Sequence, residues 1–276
     1  MNKEEARKLV RQGYAKVATQ GSSCCGPSSS CCGTTDTAID MSKKIGYTDE
    51  ELQSIPDGAN QGLGCGNPVA LASLKEGETV VDLGSGPGMD CFLAAGKVGE
   101  KGKVIGVDMT SEMLEKARGN ASKGSYSNVE FRLGEIENLP IADNSADVII
   151  SNCVINLSPD KQKVFEETYR VLRPGGRIMV SDVVLAKPLP ENILDSVDAY
   201  IGCISGAITK EEYLGTVKAA GFEEVSIVDE MSIPVEEWVN DPIASSITEH
   251  LKVSIDEVKE ILASVLSVKV KAVKGI

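Results

Sequence analysis

This sequence predicts an α/β fold with a doubly wound, mostly parallel sheet, and three observations carry that prediction. Strand-like apolar runs alternate with helix-like runs between residues 79 and 185, the pattern of successive βαβ units. A glycine-rich stretch, VVDLGSGPGMD at 80–90, links the first strand-like run to the first helix-like one. An acidic residue, Asp108, closes the second strand-like run, and open α/β sheets bind ligands just beyond such strand ends.

The elements follow in order. Residues 3–19 place Ala6, Leu9, Val10, Tyr14 and Val17 at helical spacing. Residues 20–36 are Gly, Ser, Thr and Cys without periodicity and read as loop. TAIDMSKKIG (37–46) reads as a helix, and YTDEELQSIP as a short one with Thr48 as N-cap and Glu51 three residues on. TVVDLG (79–84) is the first strand and MDCFLAAGKVG (89–99) the helix after it. KVIGVD (103–108) is a strand, and 111–124 a helix capped by Ser111. VEFRLGE (129–135) and ADVIISNCV (146–154) are the third and fourth strands. Residues 158–172 form a helix capped by Ser158 and closed by RPGG, followed by a fifth strand, GRIMVSDVV (176–184). Beyond Pro188 the alternation loosens. Residues 191–204, 209–221 and 235–265 read as helices, 223–230 as a strand, and SVLSVKVKAVKG as a closing strand.

Composition narrows the function. A chain of 276 residues with 42% hydrophobic content buries a sizeable core without disulfides. Its net charge of −13 repels phosphate backbones and anionic membranes, so neither nucleic acid nor membrane is expected as a partner. No apolar run approaches the ~20 residues of a membrane helix, and the first residues lack the apolar segment of a signal peptide. A cytoplasmic location is expected, where structural disulfides are disfavoured. A single histidine, His250, excludes chemistry that needs several imidazoles.

The eight cysteines fall into two groups. GSSCCGPSSSCCG (21–33) holds Cys24, Cys25, Cys31 and Cys32 as two vicinal pairs. A disulfide staple, a metal clip, a metalloid trap and an idle tail are all open readings of it. Adjacent cysteines rarely bond to each other, because the geometry is strained, and the spacing matches neither zinc knuckles nor the common iron–sulfur runs. The other four stand singly. Cys91, in an apolar helix, reads as a small buried hydrophobe. Cys65 sits in GLGCGNP, Cys153 ends the fourth strand, and Cys203 sits in YIGCISGA. Three thiols from scattered points suit one soft, three-coordinate centre.

The glycine stretch has the pattern G-x-G-x-G at Gly84, Gly86 and Gly88. Gly84 and Gly86 permit a tight turn and close backbone approach to a ligand. Asp82, just before, accepts from an ammonium or holds the loop. Asp108 stands where an acid takes ribose hydroxyls. These motifs, with GEIENLP (134–140), SADVIISNCVINL and RVLRPGGRIMVSD, resemble the class I S-adenosylmethionine-dependent methyltransferases over residues 70–185. The resemblance implies a seven-stranded sheet with an antiparallel last strand. It implies S-adenosylmethionine as cofactor, held by Asp82, Gly84, Ser85, Gly86, Gly88, Asp108 on the ribose, Met109 beside the adenine, the Glu135 side chain, the Ile136 backbone and Asn152.

GLGCGNP, SNCVINL and GCISGA, with the N-terminal cysteine cluster, further resemble the arsenite S-adenosylmethionine methyltransferases, across nearly the whole chain. That likeness implies that Cys153 and Cys203 hold As(III), with Cys65 joining or exchanging with them. It implies that Cys31 or Cys32 forms a redox dithiol with Cys65, restored by a thioredoxin- or glutathione-type reductant, while Cys24 and Cys25 capture arsenite or its thiol conjugates. The chain then divides into a helical, Cys-rich segment (1–65), an S-adenosylmethionine-binding domain (66–186) and a C-terminal α/β cap region (187–276). A methyltransferase of a small organic acceptor and a non-catalytic metalloid-binding protein are the rival readings.

Overall fold

A computed structural model describes residues 2–20, 35–189, 206–232 and 263–276. Cys24, Cys25, Cys31, Cys32, Cys203 and His250 lie outside the described residues, as does the helix expected at 191–204. So does the one expected at 235–265, apart from its last three residues, which form a turn and the start of a strand. Among the described residues no helix is long and apolar enough to cross a membrane.

Five strands build the parallel part of the sheet: β1 (Thr79–Leu83), β2 (Lys103–Asp108), β3 (Val129–Leu133), β4 (Ala146–Asn152) and β5 (Leu172–Leu185). The helices α5 (Met89–Val98), α6 (Ser111–Lys123) and α7 (Lys161–Val171) lie between β1 and β2, β2 and β3, and β4 and β5. Ahead of them come α1 (Lys3–Gln20), α2 (Thr35–Lys44), α3 (Asp49–Ser54) and α4 (Pro68–Leu71). After them come α8 (Lys210–Ala219), β6 (Glu223–Ser232) and β7 (Val265–Val273). The strand order is β3-β2-β1-β4-β5-β7-β6, and β7 runs antiparallel to both β5 and β6. The order reverses between β1 and β4, so the crevice for a ligand opens beyond the carboxyl ends of these two strands.

Side chains alternate across the sheet, and the sequence is apolar on both faces because helices cover both. Val81, Leu83, Ile105, Val107, Ile149 and Val180 face one core, with Phe165 of α7 and Tyr213 of α8. Val80, Val104, Val148, Ile150 and Met179 face the other, with Phe92 and Leu93 of α5. The same alternation puts Asp82 and Asn152 on the α5 side and Asp182 on the side of α7 and α8.

Two caps differ from expectation. The N-cap of α6 is Thr110, and Ser111 is already helical, its hydroxyl turned to Glu112 at 3.0 Å. The N-cap of α7 is Asp160, whose carboxylate accepts from Lys163 N at 3.2 Å. Ser158 is engaged elsewhere: its N–H closes the 3-10 turn Ile155–Leu157, and its hydroxyl donates to Glu137 at 2.7 Å. RPGG does end α7, but the chain runs directly into β5. The capping box at Thr48 and Glu51 forms as expected.

Candidate active site

At the end of β1 the chain turns on Gly84, at φ +66°. A Cβ there would stand 2.4 Å from Val154 Cγ2, so only glycine fits. The Gly84 and Ser85 N–H groups donate to the Val107 carbonyl at 2.7 and 3.0 Å, tying the loop to the end of β2. Asp108 then spans the loop and its own turn: Oδ2 accepts from Gly86 N at 2.9 Å and Oδ1 from Thr110 N at 2.8 Å.

This loop borders a cavity of about 630 Å³. Of the residues anticipated as ligand contacts, Asp82, Gly84, Ser85, Gly86, Asp108, Met109, Ile136 and Asn152 are on its wall, and so are Cys65 and Cys153. Gly88 and Glu135 are not. Gly88 caps α5, with Phe92 and Phe131 packed where its side chain would be. The Glu135 carboxylate is 41% exposed and lies 3.6 Å from Arg7 Nε. Its neighbour Glu137 reaches the wall instead, held by Arg7 at 3.2 Å and Ser158 at 2.7 Å. Helix α1 closes this side: Ala6 and Val10 pack on Leu157, Val17 and Ala18 on Met113, and Tyr14 spans both contacts.

Two buried carboxylates stand together on the wall. Asp82 accepts from Cys91 Sγ at 3.2 Å, so Cys91 is an anchor and not only a hydrophobe. Asp90 accepts from the Tyr47 hydroxyl at 2.6 Å and from Asn152 Nδ2 at 3.1 Å. Burial pushes the Asp82 carboxyl well up, and Asp90 adds to that. Burial also raises Asp90, to about 6, against the bonds from Tyr47 and Asn152. Sequence reasoning missed Asp90 and Tyr47. The one signal was an acid in the first turn of a helix that follows a glycine loop.

The two described thiol residues of the candidate centre come from different parts of the chain, one just after β4 and one in the turn before α4. Cys153 follows β4 at φ +59°, an uncommon conformation for a non-glycine residue. Its N–H donates to the Ser181 carbonyl at 2.8 Å. Behind it, Asp182 accepts from Asn156 N at 3.1 Å and the Tyr213 hydroxyl at 3.0 Å. Lys161 Nζ donates to the Asn156 and Ser158 carbonyls, both at 3.0 Å. Cys65 lies in the turn before α4; its N–H donates to Asn152 Oδ1 at 3.0 Å. Among the described residues no three Cys, His, Asp or Glu side chains form a ready metal cluster.

Residues 74–221 match the family model described as a methyltransferase domain. The arsenite methyltransferase of Halobacterium salinarum is 50% identical over 243 residues, covering 85% of this chain and 62% of that protein. The arsenite methyltransferase of Aquipseudomonas alcaligenes is 37% identical, covering 73% of this chain and 60% of that protein. The chain thus spans about three-fifths of the length of these curated relatives. Among solved structures, an arsenic(III) S-adenosylmethionine methyltransferase from Chlamydomonas reinhardtii superposes with a TM-score of 0.65 at 34% identity, covering 86% of this chain and 74% of that one.

Proposed function

The chain belongs to the methyltransferase-domain family and, within it, to the arsenite methyltransferases, and from that premise we propose that it methylates trivalent arsenic held on its own cysteine thiolates. The observation that carries the reading is the meeting of Cys65 and Cys153 on one cavity wall with the glycine loop and Asp108.

The wall suits S-adenosylmethionine. Ser85 Oγ is buried without a hydrogen-bond partner among the described residues, and so has a bond to offer a ligand. Asp108, already fixed by two backbone N–H groups, keeps lone pairs for ribose hydroxyls. Asp82 and Asp90 offer two carboxyl groups to an α-ammonium, whose positive charge would favour their ionised forms against the burial that raises them. Met109, Ile136 and Tyr14 offer apolar surface to the adenine. When bound, the cofactor supplies a methyl group on a sulfonium, an electrophile matched to a soft nucleophile.

Cys153 and Cys203 are the principal arsenic ligands, with Cys65 joining or exchanging. Thiolates are the fitting donors for a soft centre. The lone pair on the bound arsenic is the nucleophile, so no proton has to leave it at the moment of transfer. The protein's part is to fix the thiolates opposite the methyl group, which is catalysis by positioning. Each transfer formally oxidises As(III) to As(V), and two electrons must return. We assign Cys65 and either Cys31 or Cys32 as the dithiol that supplies them, becoming a disulfide that a cytoplasmic thioredoxin- or glutathione-type reductant reopens.

Single-turnover transfer from labelled S-adenosylmethionine to arsenite, with excess glutathione, tests this. The wild type is expected to give methylated arsenic. Cys153→Ser is expected to give none while binding S-adenosylhomocysteine normally. Transfer that persists in both Cys153→Ser and Cys203→Ser overturns the proposal. In separate multiple-turnover runs, loss of Cys31 and Cys32 is expected to slow later rounds more than the first.

A further inference from the structure

Asn152 reaches the cavity wall, but its amide nitrogen is committed to the protein. Oδ1 accepts from the Cys65 N–H at 3.0 Å, and Nδ2 donates to the Gly66 carbonyl at 2.7 Å. The same nitrogen lies 2.9 Å from the Tyr47 hydroxyl oxygen and 3.1 Å from Asp90 Oδ2. An amide nitrogen has two hydrogens. Facing three protein acceptors, it has none to spare for a bound molecule.

A second clamp comes from β7, where the Ser267 hydroxyl donates to the Cys65 carbonyl at 2.6 Å. Asn152 and Ser267 therefore grip the Cys65 peptide by its N–H and its C=O. Gly64 makes the approach possible. It sits at φ +115°, and a Cβ there would fall 2.9 Å from both polar atoms of the Asn152 amide.

We propose that Asn152 and Ser267 are positioning residues for Cys65, and that the Asn152 amide nitrogen is not a hydrogen-bond donor to the methyl donor. They fix the backbone from which the thiol meets the cavity. The catalytic meaning of that hold rests on the thiolate reading above, whereas the hold itself is measurable without arsenic.

The test uses the reduced protein, free of arsenic. Alkylation of Cys65 by iodoacetamide is followed by peptide mass spectrometry, and S-adenosylhomocysteine affinity by calorimetry. Cys65 is 7% exposed, so its reaction requires local opening. Asn152→Ala and Ser267→Ala are each expected to speed it by about three- to tenfold, the worth of one hydrogen bond in the opening equilibrium. The rate at fully buried Cys91 is expected to stay unchanged, and the S-adenosylhomocysteine Kd to stay within about threefold of wild type, less than a lost direct hydrogen bond usually costs. An unchanged Cys65 rate in both variants overturns the proposal. So does an Asn152→Ala protein that keeps the wild-type Cys65 rate and binds S-adenosylhomocysteine ten times more weakly, a factor of about 1.4 kcal/mol. If Cys91 reactivity rises with that of Cys65 in Asn152→Ala, the fold has opened and Ser267→Ala decides. Arsenite titration of the wild type is the separate arm: failure to bind sinks the thiolate reading and leaves the alkylation result standing.

Discussion

The buried Asp90 carboxylate accepts from Tyr47 at 2.6 Å and Asn152 at 3.1 Å, beside Asp82, which is also buried. Burial holds its pKa near 6, so below that pH it carries a proton and no charge. If the pair receives an α-ammonium, affinity for S-adenosylhomocysteine falls as pH drops through about 6, and Asp90→Asn flattens that limb. Calorimetry across the range checks it; a flat wild-type profile places the ammonium elsewhere. Asp82, Gly84 and Gly86 were legible because they lie in one contiguous stretch, and Asp108 because it ends the next strand of the same βαβ unit. Tyr47 was not, because it meets Asp90 across 43 residues. The exchange of Glu135 for Glu137 was not legible either. Which of two acids in a short turn faces inward depends on Arg7 and Ser158, which come from distant elements.

The turn after β4 is an element held from behind. Asp182 on β5 accepts from its Asn156 N–H and from Tyr213 on α8, and Lys161 on α7 ties down its carbonyls. Asp182→Ala leaves Asn156 N–H and Tyr213 OH buried without an acceptor. The expected loss is about 3 kcal/mol or more, read as a lower urea midpoint. On the proposed function, methyl transfer should fall further than that loss alone explains, because the Cys153 turn is no longer fixed. Asp182→Asn, which keeps an acceptor oxygen, should lose less. Strands and helices were readable here from their period of apolar residues. This network was not, since its members are single polar residues on separate elements with no shared pattern. The cap of α7 moved to Asp160 for a related reason: Ser158 was already committed to the turn before it.

Across the whole molecule, paired carboxylates make stability depend on pH. Glu130 is held down near 2, first by its bond to Arg132 and then by Lys103. A carboxylate depressed in this way stabilises the fold above its ordinary value of 4.5 and loses that contribution as pH falls toward 2. Glu130→Gln should therefore unfold at lower urea than wild type at neutral pH, and the gap should close as pH is stepped down through that window. A gap that persists in acid contradicts the assignment. The sheet's overall class was legible from the alternation of strands and helices. The place of β7 between β5 and β6 was not, because no local signal says which strand pairs with which. That placement bears on how the protein is made. Synthesis proceeds from the N-terminus, and domains fold as their parts emerge. The glycine loop and Asp108 can form while translation continues. The seat of Cys65 cannot, because its carbonyl waits for a serine 202 residues further along the chain. A nascent chain halted before residue 265 lacks the serine that grips the Cys65 carbonyl, so this part of the cavity wall is completed only after β7 has been made.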